Sequence, residues 1–467
     1  MKFYDNLAMF SDKTAIINTK GETLTYSDLV NESDNLAKNY SKEQKNLVFI
    51  FCRNNAETII GYLSALKSNS VAFLIDNKTD NKLMQVLIDT YKPEFIWKPL
   101  DNDCNVVYSY KEYGLIRMNS ERKIKIDENL KLLLSTSGST GSPKLVKLTG
   151  DNLDSNAKSI AEYLKLTSDE RPVTSLPFHY TYGLSVINSH FSTGSTILLT
   201  DGSMVMGDFW DFFKFYQGTS FAGVPYMYEI LKRLKFFNMK LPSLKTMTQA
   251  GGKLHPDLAL EFSEFSHKNN INFFIMYGQT EATARISYVP PEKNIEKFKS
   301  IGIAIPGGEL TIIDEHGNNI LEPGINGELV YKGSNVMMGY ATCEYDLSKG
   351  DELKGILKTG DIAYFDEDKY FYITGRKKRF LKIFGNRVNL DEIELFLKSE
   401  GYECACGGRD DLLCIAIINQ KDGDLIKNKI VKTYNFNSSV LKILQVEKIT
   451  RSESGKILYD EMFKGIQ

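Results

Sequence analysis

Apolar and polar residues alternate in blocks along the first two thirds of the chain. Residues 47–54, LVFIFCRN, form an apolar run typical of a buried strand, and residues 71–76, VAFLID, form a second one. Between them, residues 56–69 carry apolar side chains at helical spacing. A strand, helix, strand order predicts a parallel α/β sheet with helices on its faces.

A second helix and strand are predicted in the middle of the chain. Residues 255–269 read as a helix with Pro256 in its first turn, and residues 271–278 read as a strand that stops at Gly278. In open α/β sheets the working loops lie at the carboxyl ends of strands. The residues that follow Gly278 are therefore candidates for chemistry.

The pattern changes from about residue 300 onward. Residues 308–333 are short apolar runs broken by Gly, Asn and Pro, which predicts an antiparallel β region. The carboxyl-terminal part predicts a small α+β piece with one helix, over residues 390–400. A length of 467 residues favours two or three domains.

Composition narrows the class of protein. Apolar residues make up 42% and charged residues 25% of the chain, and the formal net charge is -2, which disfavours a general binder of nucleic acid or of membrane surfaces. There is no apolar run of about 18 residues, so we expect no integral membrane protein. An acid near the start, where a signal peptide needs an apolar core, and six sparse cysteines predict a cytoplasmic location.

The segment LLLSTSGSTGSPKLVKLTG, residues 132–150, leaves an apolar strand for a loop of small residues. Such a loop brings backbone N–H groups close to an anion, and Lys144 adds a charge suited to terminal phosphates. In the nucleoside-triphosphatase loop, Gly-Lys-Ser/Thr begins a helix. Here Pro143 precedes Lys144 and the pattern of the residues that follow predicts an extended segment, so this is a different kind of loop. By itself the pattern also fits a surface loop. Further hydroxyl donors are Ser135, Thr136, Ser137, Ser139 and Thr140.

Four separate motifs, in order, resemble those of the adenylate-forming superfamily. This superfamily includes acyl- and aryl-CoA synthetases, nonribosomal peptide adenylation domains and beetle luciferases. Two amino-terminal segments, residues 22–37 and 54–69, resemble its signatures as well, so the likeness covers essentially the whole chain. The four motifs are STSGSTGSPK at 135–144, MYGQTEATA at 276–284, LKTGDIAYFDEDKYFYITGRKKR at 357–379 and ITRSESGKILYDEM at 449–462.

The resemblance implies an AMP-dependent synthetase or ligase. Such an enzyme joins a carboxylic acid to ATP, forming acyl-AMP and pyrophosphate, and then transfers the acyl group to a thiol. Two anions must approach each other in the first step, so the protein contributes positioning and charge neutralisation. The implied cofactors and partners are ATP, Mg²⁺, a small carboxylic acid, and coenzyme A or the phosphopantetheine of a carrier protein.

The resemblance also implies which residues hold the nucleotide. Thr280 would donate to an α-phosphate oxygen, Glu281 would bind Mg²⁺ as a hard oxygen ligand, and Lys456 would lie between the acid and the ribose-phosphate oxygens. Asp361 would accept the ribose hydroxyls and Arg376 would lie beside them. The other predicted nucleotide-binding residues are Thr136, Ser137, Gly138, Ser139, Thr140, Gly141, Lys144, Gly251, Gly252, Tyr277, Gly278 and Arg387.

For the second step, the family's small carboxyl-terminal domain rotates about a hinge. The hinge matches Lys378, which predicts an adenylation domain of mixed α/β sheets plus the antiparallel region over 1–376, and a small mobile domain over 377–467. The rotation would bring Lys382 and Gly385 toward the acyl-adenylate.

Residues 376–387, RKKRFLKIFGNR, contain six cations and no acid. They read either as a solvated face or as a surface that attracts coenzyme A phosphates or an acidic carrier protein.

The acyl pocket is expected beside residues 176–187, 221–230 and 249–256. His179 stands where amino-acid-activating relatives carry an aspartate, and a histidine is a poor partner for an ammonium group, which argues against an α-amino acid. His179 is either a contact for the acyl group or a packed aromatic residue. The floor would include Gly251, Gly252 and Tyr277 with Ala250 at the edge, which leaves room for a flat or extended acyl group.

Two alternatives to a CoA ligase stay open. The short segment at residues 404–419 leaves loading of a carrier protein possible. A non-catalytic member that only binds a nucleotide or an acyl group is disfavoured, because Lys144, Glu281, Asp361 and Lys456 are all present.

Overall fold

The computed structural model describes residues 1–101, 105–119, 122, 124–135, 144–384, 386–434, 437–451 and 457–466, with only the backbone at Lys378, Asn386 and Arg387. Within these residues the chain forms two compact units, one of residues 1–135, 144–309 and 331–357, and one of residues 310–330 and 358–466. The domain boundary predicted after residue 376 depends on a hinge. Because two compact units do not by themselves locate a hinge, this boundary stays a prediction.

The described residues form helices and strands throughout both units. The eleven α-helices among them are α1 Tyr26–Ala37, α2 Ala56–Lys67, α3 Asn81–Tyr91, α4 Gly150–Tyr163, α5 Thr181–Phe191, α6 Gly207–Phe215, α7 Pro225–Arg233, α8 Pro256–Lys268, α9 Leu390–Ser399, α10 Gly423–Tyr434 and α11 Tyr459–Met462. The strands are β1 Thr14–Asn18, β2 Thr23–Thr25, β3 Asn46–Cys52, β4 Ser70–Asp76, β5 Phe95–Pro99, β6 Val106–Tyr110, β7 Tyr113–Arg117, β8 Leu130–Ser135, β9 Leu145–Thr149, β10 Pro172–Val173, β11 Ile197–Leu199, β12 Ser220–Gly223, β13 Thr246–Gln249, β14 Asn272–Tyr277, β15 Ser287–Val289, β16 Ile303–Ala304, β17 Gly308–Ile313, β18 Gly327–Gly333, β19 Gly339–Ala341, β20 Ile356–Phe365, β21 Phe371–Arg376, β22 Phe380–Ile383, β23 Asn386–Asn389, β24 Cys404–Arg409, β25 Leu412–Ile417 and β26 Leu441–Gln445.

The first unit contains a nine-stranded sheet in the order β16-β15-β14-β13-β12-β10-β11-β1-β2. Its central strands β10, β12, β13 and β14 are parallel, with Gly223 opposite Gln249 and Gln249 opposite Ile275. Because parallel strands end at the same edge, the loops after β10, β12, β13 and β14 gather at one side of this sheet.

An eight-stranded sheet in the order β19-β9-β8-β4-β3-β5-β7-β6 forms the rest of the first unit's β-structure. The strands predicted at 47–54 and 71–76 are β3 and β4, and they are parallel neighbours as expected. The sheet is mixed as a whole, since β8 and β9 are antiparallel and β19 pairs antiparallel with β9 at the edge. The predicted α/β class with mixed sheets is confirmed.

The core of the first unit lies where helices α1, α2, α4 and α5 pack against strands of both sheets. Leu63 of α2 and Ile187 of α5 are both fully buried in this cluster, and burial of such a side chain contributes about 1.5–3 kcal/mol. Helix α2 begins directly after Asn55, whose side chain accepts a hydrogen bond from the Thr58 N–H at 3.0 Å. Helix α8 begins at Pro256, as the sequence predicted.

The second unit contains three sheets. The region predicted to be antiparallel β at 308–333 supplies β17 and β18 of a sheet in the order β17-β18-β20-β21, in which β20 and β21 are antiparallel. A hairpin of β22 and β23 follows, and then a sheet of β24, β25 and β26.

The prediction of one helix after residue 377 was wrong, because α10 and α11 follow α9 in the described residues. Helix α10 buries Ile426 and Ile430 in the same cluster as Ile393 and Leu397 of α9. Those two isoleucines are four residues apart and separated by lysines and an asparagine, so the apolar face of α10 is too narrow to stand out in the sequence. No helix in the described parts of either unit is long and apolar enough to cross a lipid bilayer.

Candidate active site

The loops at the carboxyl ends of β10, β13 and β14 contain seven of the residues predicted for the acyl and nucleotide sites. The loop after β10 contains His179 and leads into α5, and the loop after β13 contains Ala250, Gly251 and Gly252. The turn after β14 contains Gly278, Thr280 and Glu281. The parallel strand order therefore brings three separate motifs of the sequence to one edge of the sheet.

The loop after β13 packs against Tyr180. Gly251 has a φ of +85°, and a Cβ atom on it would lie 2.5 Å from the Tyr180 hydroxyl, so both the conformation and the space require glycine. Burial raises the pKa of Tyr180 to about 12. The Gly252 carbonyl accepts a hydrogen bond from Gln249 Nε2 at 2.9 Å, and Ala250 is 2% exposed. Sequence reasoning missed Tyr180, although it follows His179 directly.

The turn after β14 is compact. A Cβ atom on Gly278 would overlap the carbonyl oxygen of Ala284, so the start of the turn requires glycine. Residues Thr280–Ala282 form a single 3₁₀ turn, and Thr283 then takes a left-handed conformation with φ of 55°. The turn therefore reverses the chain within a few residues and presents Thr280 and Glu281 at its tip.

Asn335, which lies outside this turn, holds it in place with hydrogen bonds. Its Nδ2 donates to the carbonyl oxygens of Ala282 at 2.8 Å and Arg285 at 2.7 Å, while its Oδ1 accepts from the Tyr331 hydroxyl at 2.7 Å. Its backbone carbonyl accepts from the Thr283 hydroxyl at 2.6 Å. Asn335 is 3% exposed, so these bonds are shielded from water and hold the turn in one conformation.

Thr280 contacts a second threonine. Its Oγ1 lies 2.8 Å from Oγ1 of Thr181, the first residue of α5. This contact links the turn after β14 to the loop after β10, and it orients the hydroxyl that was predicted to donate to an α-phosphate. Sequence reasoning did not select Thr181.

Glu281 and Lys144 both contact Tyr340, one at its hydroxyl and the other at its ring. The Tyr340 hydroxyl donates to Glu281 Oε1 at 2.8 Å, and Lys144 Nζ lies 3.4 Å from the centre of the Tyr340 ring. Burial and the nearby Glu281 charge raise the pKa of Tyr340, so its hydroxyl stays protonated and donates. Tyr340 reaches this position because β19 pairs with β9, which starts directly after Lys144.

The donor set at Glu281 fits Mg²⁺ that is also bound by phosphate oxygens. Among the described residues no group of three or more His, Cys, Asp or Glu side chains could hold a metal ion. One carboxylate with one oxygen already fixed by a hydroxyl suits a cation that takes its remaining ligands from phosphates and water.

His179 and Tyr277, both predicted to line the acyl pocket, each lie near a polar side chain. His179 Nε2 lies 3.9 Å from Oδ2 of Asp76, the last residue of β4, and the Tyr277 hydroxyl accepts a hydrogen bond from Gln279 Nε2 at 3.1 Å. A carboxylate therefore lies near His179, although the carboxylate belongs to a different segment of the chain. The predicted contact of His179 with the acyl group stays a prediction.

In the second unit, Asp361 and Arg376 lie on adjacent strands. Their Cα atoms are register partners of β20 and β21, and Arg376 Nε donates to Asp361 Oδ1 at 3.2 Å. Asp361 is 2% exposed, whereas the side chain of Arg376 is 63% exposed. The Asp361 N–H donates to Thr359 Oγ1 at 3.1 Å, which fixes the backbone that carries the carboxylate. The two predicted ribose-binding residues thus form a pair.

The cationic segment at residues 376–387 is not a uniform solvated face. Arg379 is largely buried, donates to Asp391 and Glu394 at 2.7 Å each, and lies 3.7 Å from the Tyr459 ring centre. This arginine therefore stabilises the second unit and takes no part in a cationic surface. Lys382 is exposed on β22, directly opposite Arg387 of β23.

Several predicted residues lie outside the described residues. They are Thr136, Ser137, Gly138, Ser139, Thr140, Gly141, Gly385 and Lys456. At Lys378 and Arg387 the structure describes the backbone alone.

Comparison with known proteins identifies the family. Residues 3–341 match the family described as AMP-binding enzyme. This chain belongs to that family. The oxalate–CoA ligase of Arabidopsis thaliana is 28% identical over 74% of this chain and 67% of its own length. The D-alanine–D-alanyl carrier protein ligase of Bacillus cereus (strain B4264) is 27% identical over 84% of this chain and 81% of its own length.

The fold matches solved structures of the same kind. The o-succinylbenzoate CoA synthetase of Bacillus subtilis, in complex with its acyl-adenylate intermediate, superimposes with a TM-score of 0.80 and 22% identity. The match covers 99% of this chain and 97% of that one. The same synthetase with ATP and a magnesium ion gives a TM-score of 0.78. These findings confirm the predicted superfamily and the predicted class of AMP-forming acid–thiol ligase.

Proposed function

We propose that this AMP-binding enzyme activates a carboxylic acid with ATP and then transfers the acyl group to the thiol of coenzyme A. The observation that carries the proposal is the chain of contacts from Lys144 through Tyr340 to Glu281. It places a cation and a carboxylate in contact with one phenol, which suits a triphosphate with its metal ion.

In the first step, a carboxylate oxygen of the acid attacks the α-phosphorus of ATP, the bond to the β-phosphate breaks, and pyrophosphate leaves. Lys144 binds the β- and γ-phosphates, and Thr280, oriented by Thr181, donates to an α-phosphate oxygen. Lys456 lies between the acid and the ribose-phosphate oxygens and neutralises both reactants. Mg²⁺ held by Glu281 offsets the charge of the phosphates when it is bound.

Asp361 and Arg376 bind the ribose. The buried Asp361 carboxylate accepts from both ribose hydroxyls, because a carboxylate is suited to bidentate acceptance. Arg376 fixes one of its oxygens and, being mostly exposed, is available to the nucleotide. The remaining predicted nucleotide contacts, on residues 136–141 and at Arg387, belong to the same proposal.

In the second step, the thiol gives up its proton to water and its sulfur attacks the acyl carbon. The bond from that carbon to the phosphate oxygen breaks, and AMP leaves. Rotation about Lys378 would bring Lys382 to the acyl-adenylate for this step. A carrier protein is the second candidate acceptor, supported by the similarity to a carrier protein ligase and by the exposed cation Lys382. A cytoplasmic location stays a prediction.

Pyrophosphate release over a panel of carboxylic acids tests the activity. We expect release that depends on an acid, on ATP and on Mg²⁺, followed by a thioester with coenzyme A in preference to holo-carrier proteins. If the intact protein, fully folded, released no pyrophosphate with any acid, the proposed function would be wrong. If carrier proteins were acylated faster than coenzyme A, the acceptor assignment would change to the carrier protein.

A further inference from the structure

Arg285 is a buried cation at the end of the turn that carries Thr280 and Glu281. It is 2% exposed, and its Nε has no hydrogen-bond partner. Among the described residues, the guanidinium contacts the Tyr182 ring and the Tyr163 hydroxyl, neither of which carries a charge. Arginine is almost never fully buried unless it is paired, because removing an unpaired charge from water is costly.

Two tyrosines surround the guanidinium. Its central carbon lies 4.8 Å from the centre of the Tyr182 ring. Burial raises the pKa of Tyr163 and of Tyr182, and the positive charge of Arg285 acts against that rise in both. The phenols are therefore neutral, and they leave the positive charge without a counter-ion.

Arg285 also lines a cavity of about 20 Å³, together with Tyr182, Thr248 and Met276. The volume suffices for one water-sized group, such as a single carboxylate oxygen or a water molecule. In a cavity beside a buried cation that has no counter-ion, an anionic group of a ligand binds with a more favourable free energy than a neutral group.

His190 lines the same cavity and needs a different partner. Burial lowers its pKa to about 4, so the imidazole is neutral at neutral pH. Its Nδ1 lies 2.8 Å from the Val186 carbonyl and donates to it, which leaves Nε2 as an acceptor without a partner. His190 is therefore suited to a bound water, and Arg285 is the group suited to an anion.

The cavity lies next to the site of the proposed reaction. Arg285 is four residues beyond Glu281 on one compact turn, and Tyr182 directly follows Thr181, whose hydroxyl contacts Thr280. Residues 176–187, which include Tyr182, were predicted to line the acyl pocket. An acid with its reacting carboxylate at Thr280 would therefore extend toward Arg285.

We propose that the acid activated by this enzyme is a dicarboxylate, and that Arg285 binds the carboxylate that does not react. The proposal rests on the proposed function, since it names the substrate class of that same site. A dicarboxylate supplies the missing counter-charge, whereas a neutral acyl tail would leave Arg285 buried and unpaired. Arg285 is thus a specificity-determining residue for the tail of the acid.

Matched pairs of acids test this proposal. Pyrophosphate release is measured with wild-type enzyme on dicarboxylates of two to six carbons, each compared with its half-amide, which keeps the size and removes the second charge. We expect kcat/KM for the best dicarboxylate to exceed that of its half-amide by about 10- to 100-fold, the range of a charge-assisted hydrogen bond. Arg285→Met should remove this preference by lowering the rate with the dicarboxylate, and Arg285→Lys should restore part of it.

The outcomes separate the two proposals. If no acid releases pyrophosphate, the proposed function itself fails. If monocarboxylates or half-amides react as well as dicarboxylates with the wild-type enzyme, the function stands and the role of Arg285 is wrong. Thermal unfolding of Arg285→Met provides a second readout, since removal of an unpaired buried charge should not lower the unfolding temperature. A large fall in that temperature, with equal loss on both acids of a pair, would mean that Arg285 only supports the fold.

Discussion

At the scale of single residues, the site depends on a tyrosine that the sequence motifs do not include. Lys144 and Glu281 belong to two different motifs, and Tyr340, 59 positions beyond Glu281, connects them. Its ring contacts the cation and its hydroxyl contacts the carboxylate. Because Tyr340 fixes both partners, it is a positioning residue for the proposed metal and phosphate contacts.

Tyr340→Phe tests this role. The change keeps the ring beside Lys144 and removes the hydrogen bond to Glu281, a bond to a charged group worth about 1.5–3 kcal/mol. We expect the Mg²⁺ concentration for half-maximal pyrophosphate release to rise about tenfold, with the unfolding temperature little changed. Magnesium titrations of the two proteins measure the difference.

Tyr108→Phe is the matched control, because the Tyr108 hydroxyl donates to Glu32 at 3.3 Å elsewhere in the first unit. It should leave the Mg²⁺ requirement unchanged. Equal Mg²⁺ requirements in wild type and Tyr340→Phe would show that Glu281 keeps its position without the phenol.

At the scale of elements, the turn after β14 owes its shape to a residue outside it. The turn contains Gly278, whose place at the end of a strand is visible in the sequence. It also contains Thr283, whose left-handed conformation the sequence does not indicate. Three hydrogen bonds join Asn335 to the turn, and a fourth, from the Tyr331 hydroxyl of β18, orients the Asn335 amide. Asn335 itself lies just beyond β18. A short turn with non-glycine residues in left-handed conformations keeps that shape only when its surroundings enforce it.

Asn335→Ala should therefore reduce catalysis as well as stability. It leaves the Ala282 carbonyl without its side-chain donor, at about 1–3 kcal/mol for an unsatisfied group, and it leaves the Arg285 carbonyl only the longer bond from Asn156 Nδ2 at 3.4 Å. We expect a lower free energy of unfolding and, in the protein that remains folded, a fall in kcat for adenylation of about tenfold or more. Denaturant unfolding and pyrophosphate release measure the two effects.

Asn294→Ala serves as the comparison, since Asn294 is equally buried and donates to the Phe273 carbonyl at 2.9 Å. It should lose stability while kcat is kept. If both variants lost kcat in proportion to their stability, Asn335 would have only a structural role.

At the scale of the whole molecule, the proposed cycle uses residues of both compact units. Lys144, Thr280 and Glu281 belong to the first unit, and Asp361, Arg376 and Lys382 belong to the second. The two steps of the reaction are proposed to need different lysines of the second part of the chain, Lys456 for adenylation and Lys382 for thioester formation. This separation can be tested directly.

Lys456→Ala should lower the rate of acyl-AMP formation by several orders of magnitude, because it removes the cation between two anions. Lys382→Ala should leave acyl-AMP formation unchanged and slow thioester formation. Single-turnover measurements of pyrophosphate and of thioester distinguish the steps. Equal loss in both steps for Lys382→Ala would contradict a cycle with two conformations.

Lys377→Ala is the control for charge alone, because Lys377 is exposed and pairs with Glu328 at 3.0 Å. It removes one cation from the same segment as Lys382. We expect both rates to stay within about twofold of wild type, as for an exposed ion pair worth about 0–1 kcal/mol.

The sequence by itself determined the features that depend on near neighbours. The periodicity of residues 56–69 and the proline at 256 predicted α2 and α8, and the run at 71–76 predicted β4. The order of the motifs determined the superfamily, which the family match confirms. Gly278 was also visible, because a turn without room for a Cβ atom requires glycine.

Only the tertiary structure decided which distant residues meet. The pairing of β19 with β9 brings Tyr340 beside Lys144. Asn335 contacts the turn that contains Thr280 and Glu281 and stabilises its shape. The burial of Arg285 and of Arg379 was equally hidden, since an arginine in a sequence reads the same whether it faces water or a ring of tyrosine. These contacts join residues far apart along the chain, and strand order, which local patterns do not specify, determines them.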